Sequence, residues 1–381
     1  MKTRQPAPIV AAIALLSSLI LHPSSLLAQG SLTPPGAPAP TMKTLQQVEP
    51  RVPISSAPFT ISQPGSYYLT TNLTVSSGNA ITIATNGVTL DLNGFTIAST
   101  ANPASGTAVL ISGGLQDITI QNGHIRGGVT NNGSGVFSGR GFWFGISGVP
   151  QNVRVSGVSV SGCLYDGIYV DNMGGSLVEN CVVRTVGGAG IVANTIRGCV
   201  ALDCGSTAIS GQQVSDSRGE SVGNGTGLLA YTAQNCYGSS SGGYGLYAGS
   251  TAIGCYGSSV SGAGLYAITA QNCYGYSGSG GYGLFAYNAL NCYGYSYSYY
   301  GLYAYNAQNC YGYSGSATGL WAFMVNNCYG VSGGSGYGIY AYDIAIGSYG
   351  WTSTGPAGLR AYIANSCDGN TLNVTYKYNM P

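Results

Sequence analysis

Apolar and polar residues alternate in short runs along most of this chain. In "NGVTLDLNGFTI", Val88, Leu90 and Leu92 alternate with polar residues, Asn93-Gly94 interrupts, and Phe95 and Ile97 resume the alternation. "NVRVSGVSVSG" repeats the arrangement with Val153, Val155, Val158 and Val160. A period of two predicts strands with one buried side, and a break at Asn or Gly predicts a bend between two strands. "GIYV" and "GLYA" read as a third strand, with Ile168 and Val170 inward and Tyr169 outward.

The same three-strand phrase recurs. Gly227, Gly245, Gly264, Gly283, Gly301, Gly319 and Gly338 open successive copies of "GLYA" or a close variant at steps of 18 or 19 residues. The register extends back to Gly167 and on to Gly358, with Ala208 at one position and looser copies near Ala80, Ala108 and Gly145. A second register keeps step: Cys181, Cys199, Cys236, Cys255, Cys273, Cys292, Cys310, Cys328 and Cys367, with Ser217 and Ser348 in the two remaining places. So short a unit suits a β-solenoid better than the common helical repeats. The expectation is an all-β, single-stranded, right-handed parallel β-helix of about 14 coils of 18–23 residues. Three short strands per coil, stacked at the strand spacing, give a rod of roughly 65 Å.

The run "AITIATNGVTLDLNGFTI", the Asn bends and "NCVV" resemble the pectin-lyase-type parallel β-helix. In particular they resemble the exported bacterial right-handed β-helix repeat proteins. The resemblance spans residues 56 to 370 and implies a fold rather than an activity, because this scaffold hosts many functions.

The ends read differently. Lys2 and Arg4 precede "IVAAIALLSSLIL", and "LLAQG" offers a small-residue cleavage site, so 1–29 is read as a signal peptide. Residues 30–55 form a Pro-rich linker, 56–79 an N-terminal cap, 80–370 the helix, and 371–381 a C-terminal cap or tail. No second apolar span follows, which predicts a mature chain without a transmembrane segment, placed extracellularly, at the cell surface or in the periplasm.

Composition narrows the chemistry. Only 6% of the 381 residues are charged and the formal net charge is +1, which argues against nucleic acid as a partner. The eleven Cys of an exported chain invite disulfides. Column neighbours one strand spacing apart are poorly placed for bridges, so a stack of buried thiols is favoured and bridged pairs are the alternative. No Cys-x-x-Cys pair occurs, so no metal site is expected.

No Asp, Glu, Lys, Arg or His occurs between Glu220 and Asp343. General acid–base catalysis by such groups is therefore excluded from seven consecutive coils. In the earlier coils "YDGIYVDN" resembles the start of a polygalacturonase motif, with Asp166 at its first Asp. The paired Asp that the family requires one coil later is replaced by Gly188 and Ala189, its His by Thr207, and its Arg-x-Lys is missing. Asp166 and Asp171, together with Glu179 and Arg154 or Arg184, are the only group able to imitate a calcium-dependent lyase. Calcium is expected only under that reading, and otherwise no cofactor. His124 and the scattered arginines read as solvated surface.

Outward on the "GLYA" strand stand Tyr247, Tyr266, Phe285, Tyr303, Trp321 and Tyr340 in successive coils. A second column, Tyr237, Tyr256, Tyr274, Tyr293, Tyr311 and Tyr329, follows the cysteines. Such columns stack along a rod, each pair contributing up to about 1 kcal/mol. An exposed stripe of aromatics is also a surface for a long ligand, with the inserts around Trp143, Arg140 and Tyr169 as possible walls. The functional expectation is an exported, non-catalytic carbohydrate-binding or adhesive scaffold, its partner an extracellular polysaccharide or cell-surface component. The alternative is a divergent polysaccharide lyase or glycoside hydrolase of the same fold.

Overall fold

The computed structural model describes residues 49–170 and 175–380. The signal-peptide segment, most of the linker and Asp171 lie outside the described residues.

One coil shows how the fold is made. The strand Leu302–Gln308 buries Leu302 and Ala304, exposes both Tyr305 and Asn306, then buries Ala307. Two exposed residues in succession mark a corner, so its first half belongs to one face of the solenoid (face A) and its second half to the next (face B). Asn309 follows with a φ of 52°, a left-handed bend that Asn and Gly adopt more readily than other residues. Asn235, Asn272, Asn291 and Asn327 share that bend, and Gly254 and Gly347 replace Asn in two coils. The chain then enters Tyr311–Ser314 on face C, with Gly312 and Ser314 inward, and a short turn leads to Gly319.

Like residues lie over like residues. Leu302 pairs with Leu320, Tyr303 with Trp321 and Tyr311 with Tyr329, all in parallel. The solenoid has about 17 turns, more than the 14 expected. The difference is at the ends. Val52–Ile54 pairs in parallel with Gly65–Leu69, and Leu372–Tyr378 pairs in parallel with Leu359–Asn365. Weakly periodic terminal segments therefore still add rungs.

The interior is narrow. A Cβ placed on Gly301 would lie 2.2 Å from the Tyr313 carbonyl oxygen, and one on Gly312 would lie 2.3 Å from that of Gly319. Faces A and C meet at this corner with no room for a methyl group, which is why Gly opens "GLYA". From Gly227 onward the core is correspondingly built mainly of Ala, Cys, Ser and one Leu or Ile per coil, whereas the earlier coils are filled with Ile, Val and Leu.

All eleven cysteines are buried and unbridged. Cys292 and Cys310 are vertical neighbours: the Cys292 amide donates to the Cys310 sulfur at 3.5 Å, and the Cys310 amide to Cys328 at 3.3 Å. The Cys310 thiol in turn lies 3.2 Å from the Gln308 carbonyl oxygen. Ser217 makes the equivalent contacts, donating to the Ser215 carbonyl at 2.7 Å and accepting from the Cys199 amide at 3.1 Å. What this column requires is a small group with a weak donor and an acceptor.

Cys163 and Cys204 belong to another inward column, through Val186, that continues as Ser221 and Ser240. It runs on through Ser296, Ser314 and Ser332 to Thr352. Where paired, these hydroxyls hold the turn between faces C and A: Ser296 donates to the Gly281 carbonyl at 2.8 Å and accepts from the Tyr299 amide at 3.0 Å, whereas Ser221 and Ser332 have no hydrogen-bond partner among the described residues.

Candidate functional site

The long insert forms an antiparallel hairpin, Gly128–Asn131 with Phe137–Arg140. It does not wall face A. Phe137 lies against Gly187 and Gly205, and Asn131 donates to Asp203, on the face C strand Val200–Cys204, at 2.6 Å. The hairpin thus lies along the corner between C and A, and Trp143, which follows it, sets its ring 6.3 Å from Tyr165 there.

The structure does not bring Arg154 and Asp166 together. Arg154 lies on the outside of face B, paired with Glu179 through an Nε hydrogen bond of 2.8 Å. Asp166 sits half-buried in the turn from C to A, where its Oδ1 accepts the Ala189 amide at 2.7 Å. Burial holds the Asp166 carboxyl above its ordinary range, partly offset by that hydrogen bond. A Cβ on Gly188 would lie 2.3 Å from this oxygen, so glycine there makes room for the turn. His124 is exposed, as its outward position implies. Among the described residues no three His, Cys, Asp or Glu side chains converge as a metal site.

Face A carries the extended feature. Tyr247, Tyr266, Phe285, Tyr303, Trp321 and Tyr340 follow one another with centroids 4.3–5.9 Å apart and planes within 15°. Tyr169 shares the column but stands apart from the six, separated by Val192, Ser210 and Leu229. Beside the six rings runs a column that the sequence reading did not single out: Tyr287, Tyr305, Phe323 and Tyr342. Its rings stand almost perpendicular to the first column, 84° between Phe285 and Tyr287 and 86° between Trp321 and Phe323. On the other flank Tyr244, Tyr282 and Tyr337 meet the first column at 63–74°, so the herringbone has rings on both sides of it.

Geometry decides what such a surface offers. Each ring inside a column has a neighbour against both faces, so the outward surface consists of ring edges and the phenol ends. Burial, the largest cause, and the neighbouring phenols hold the Tyr266 and Tyr303 hydroxyls above their ordinary pKa, so both stay neutral. The first column ends under a cation, with the Arg360 guanidinium 4.7 Å above the Tyr340 ring. The tyrosine column on face C begins in the same way, with Arg218 5.0 Å from Tyr237.

No protein-family model and no curated sequence matches the chain. Solved structures do resemble it. The mannuronan C-5 epimerase A-module of Azotobacter vinelandii is 14% identical, with 84% of this chain and 89% of that one covered, at a TM-score of 0.35. The catalytic domain of a GH87 α-1,3-glucanase in complex with nigerose is also 14% identical, covering 86% and 60%, at 0.22. The ORF18 protein of Geobacillus virus E2 is 12% identical, covering 83% and 52%, at 0.23. At these values no residue and no activity is carried over.

Proposed function

We propose that this chain is an exported, non-catalytic β-helix protein that presents a carbohydrate-binding or adhesive surface outside the cell. The observation that carries this reading is the unbroken aromatic row on face A, from Tyr247 to Tyr340. A row of six rungs extends about 24 Å along a stiff core. It is flat rather than enclosed, which suits a long polymer better than a small molecule. Its edges and hydroxyls hydrogen-bond without charge, and each weak contact is repeated at every rung. A polymer lying along the axis therefore gains affinity by repetition. The gap of charged residues between Glu220 and Asp343 supports a binding surface rather than a hydrolytic or lyase site on these coils.

A panel of neutral and uronic-acid polysaccharides, scored for retention and for new reducing ends with calcium present, tests the reading. Retention without cleavage is expected. Tyr303→Ser with Trp321→Ser should weaken retention of polymers at least about tenfold. Cleavage that disappears in Asp166→Ala would overturn the non-catalytic reading in favour of the enzyme.

A further inference from the structure

The herringbone loosens at its C-terminal end. Tyr342 is turned 56° from Phe323 and is 56% exposed, and Tyr362, one coil on, is 51% exposed. Among the described residues no ring contact joins Tyr342 to Tyr362, which instead meets Tyr376 at 5.2 Å and 84°, so Tyr342 has no stacked ring on its C-terminal side. Between them lies a depression of about 420 Å³ at the C-terminal end of face A, lined by Tyr342, Asp343, Arg360, Tyr362, Asn373 and Thr375. Asp343 is the first charged residue after the long uncharged stretch, and Arg360 the first cation.

We propose that this depression is a binding site for an uncharged sugar unit of a glycan. The inference rests on the carbohydrate-binding reading above and names its ligand class and anchoring point. The exposed Tyr342 ring, with no stacked neighbour on this side and Tyr362 across the depression, suits the C–H face of a pyranose ring, an apolar surface that rings inside the stack cannot receive. Asp343 forms no ion pair among the described residues, and its exposed carboxylate is an acceptor for two neighbouring hydroxyls. Asn373 supplies an amide donor and acceptor, and Thr375 a hydroxyl.

Charge selects the class. Arg360 donates through Nη1 to the Tyr337 hydroxyl at 3.2 Å and lies 4.7 Å from the Tyr340 ring, and it keeps its charge. With Asp343 it gives the depression one charge of each sign. A uronate is drawn to Arg360 but repelled by Asp343, and a cationic sugar the reverse. A neutral polyol satisfies every group without either penalty. The site also lies in line with the aromatic row, so one glycan can enter the depression and continue along the rod.

Short neutral oligosaccharides of the glucose, mannose, galactose and N-acetylglucosamine series, each beside a uronate of matched length, are titrated into the folded protein by calorimetry. A neutral series should bind, with at least about tenfold weaker binding in Tyr342→Ala and in Asp343→Ala, and little change in Tyr297→Ala, an exposed ring outside the depression and the row. These positions are exposed, so unchanged melting curves will show that the variants fold. Preferential binding of uronates would overturn the assignment. So would short-ligand binding lost in Tyr303→Ser but kept in Tyr342→Ala and Asp343→Ala, which leaves the polymer-binding reading standing. If no saccharide binds, both readings fall.

Discussion

Single residues in this molecule are chosen by conformational and spatial limits before any chemistry is asked of them. Asn309 and its column mates hold a left-handed bend, and the Asn309 amide side chain donates to Asn291 at 3.2 Å, so the bends also form a ladder. Asp166 illustrates the same point for a charged group. Its carboxyl is raised by burial, so protonation favours the folded state, and stability falls as pH rises from the unfolded value of 3.8 through the higher folded one. Asp166→Asn keeps an acceptor for the Ala189 amide and removes the buried charge. The variant should melt at or above the wild-type temperature at pH 7, with the two converging below the ordinary carboxylate range. Melting temperatures measured across pH check this, and a variant less stable at every pH would refute it. Thiols follow similar logic: burial pushes Cys163 up to about 12, so it is a packing group and a poor nucleophile at neutral pH.

Elements are held by how closely they approach. The strand beginning at Leu302 and the strand Tyr311–Ser314 meet across Gly301 and Gly312 with space only for hydrogen. Gly301→Ala should therefore destabilise the protein by about 1–3 kcal/mol or more, because one of two backbones must move. Gly113, with open space around it, serves as a control, and Gly113→Ala should leave chemical denaturation almost unchanged. Equal effects of the two would show that the corner is looser than described. Ring columns add a second kind of restraint. Their covered faces stiffen face A, and where the stack loosens, at Tyr342, an aromatic face becomes available to a ligand.

At the scale of the molecule, apart from the hairpin that reaches Asp203 and Gly205, each coil touches the coils above and below it, so stability is approximately a sum of rungs and interfaces. Residues 301–318 make one complete coil, from Gly301 to the residue before Gly319. Deleting them joins Tyr300 to Gly319 and restores every column. The shortened protein should fold with the same circular dichroism and a shorter scattering profile. Deleting nine residues instead displaces faces relative to one another and should abolish cooperative melting. If both deletions behaved alike, vertical register would not be what holds the rod.

The repeat made most of this legible in advance. A quasi-one-dimensional fold writes its contacts into its period, so the face A strand, the Asn bend and the cysteine column were readable from spacing. Partners in a column are simply the same position one copy away. Even Cys292 over Cys310 followed from the register alone. The serine column was not read, because Ser in so Ser-rich a chain does not stand out, and its role depends on the carbonyls of the turn it reaches. Two larger matters belong to the tertiary structure only. The hairpin occurs once, so no period places it, and packing of Phe137 on Gly187 and Gly205 sends it to the corner of face C rather than over face A. Ring orientation is likewise silent in the sequence: a column of tyrosines can turn faces or edges outward. Close stacking at the rung spacing turns the edges out, and the stack loosens at Tyr342, beside Asp343 and Arg360.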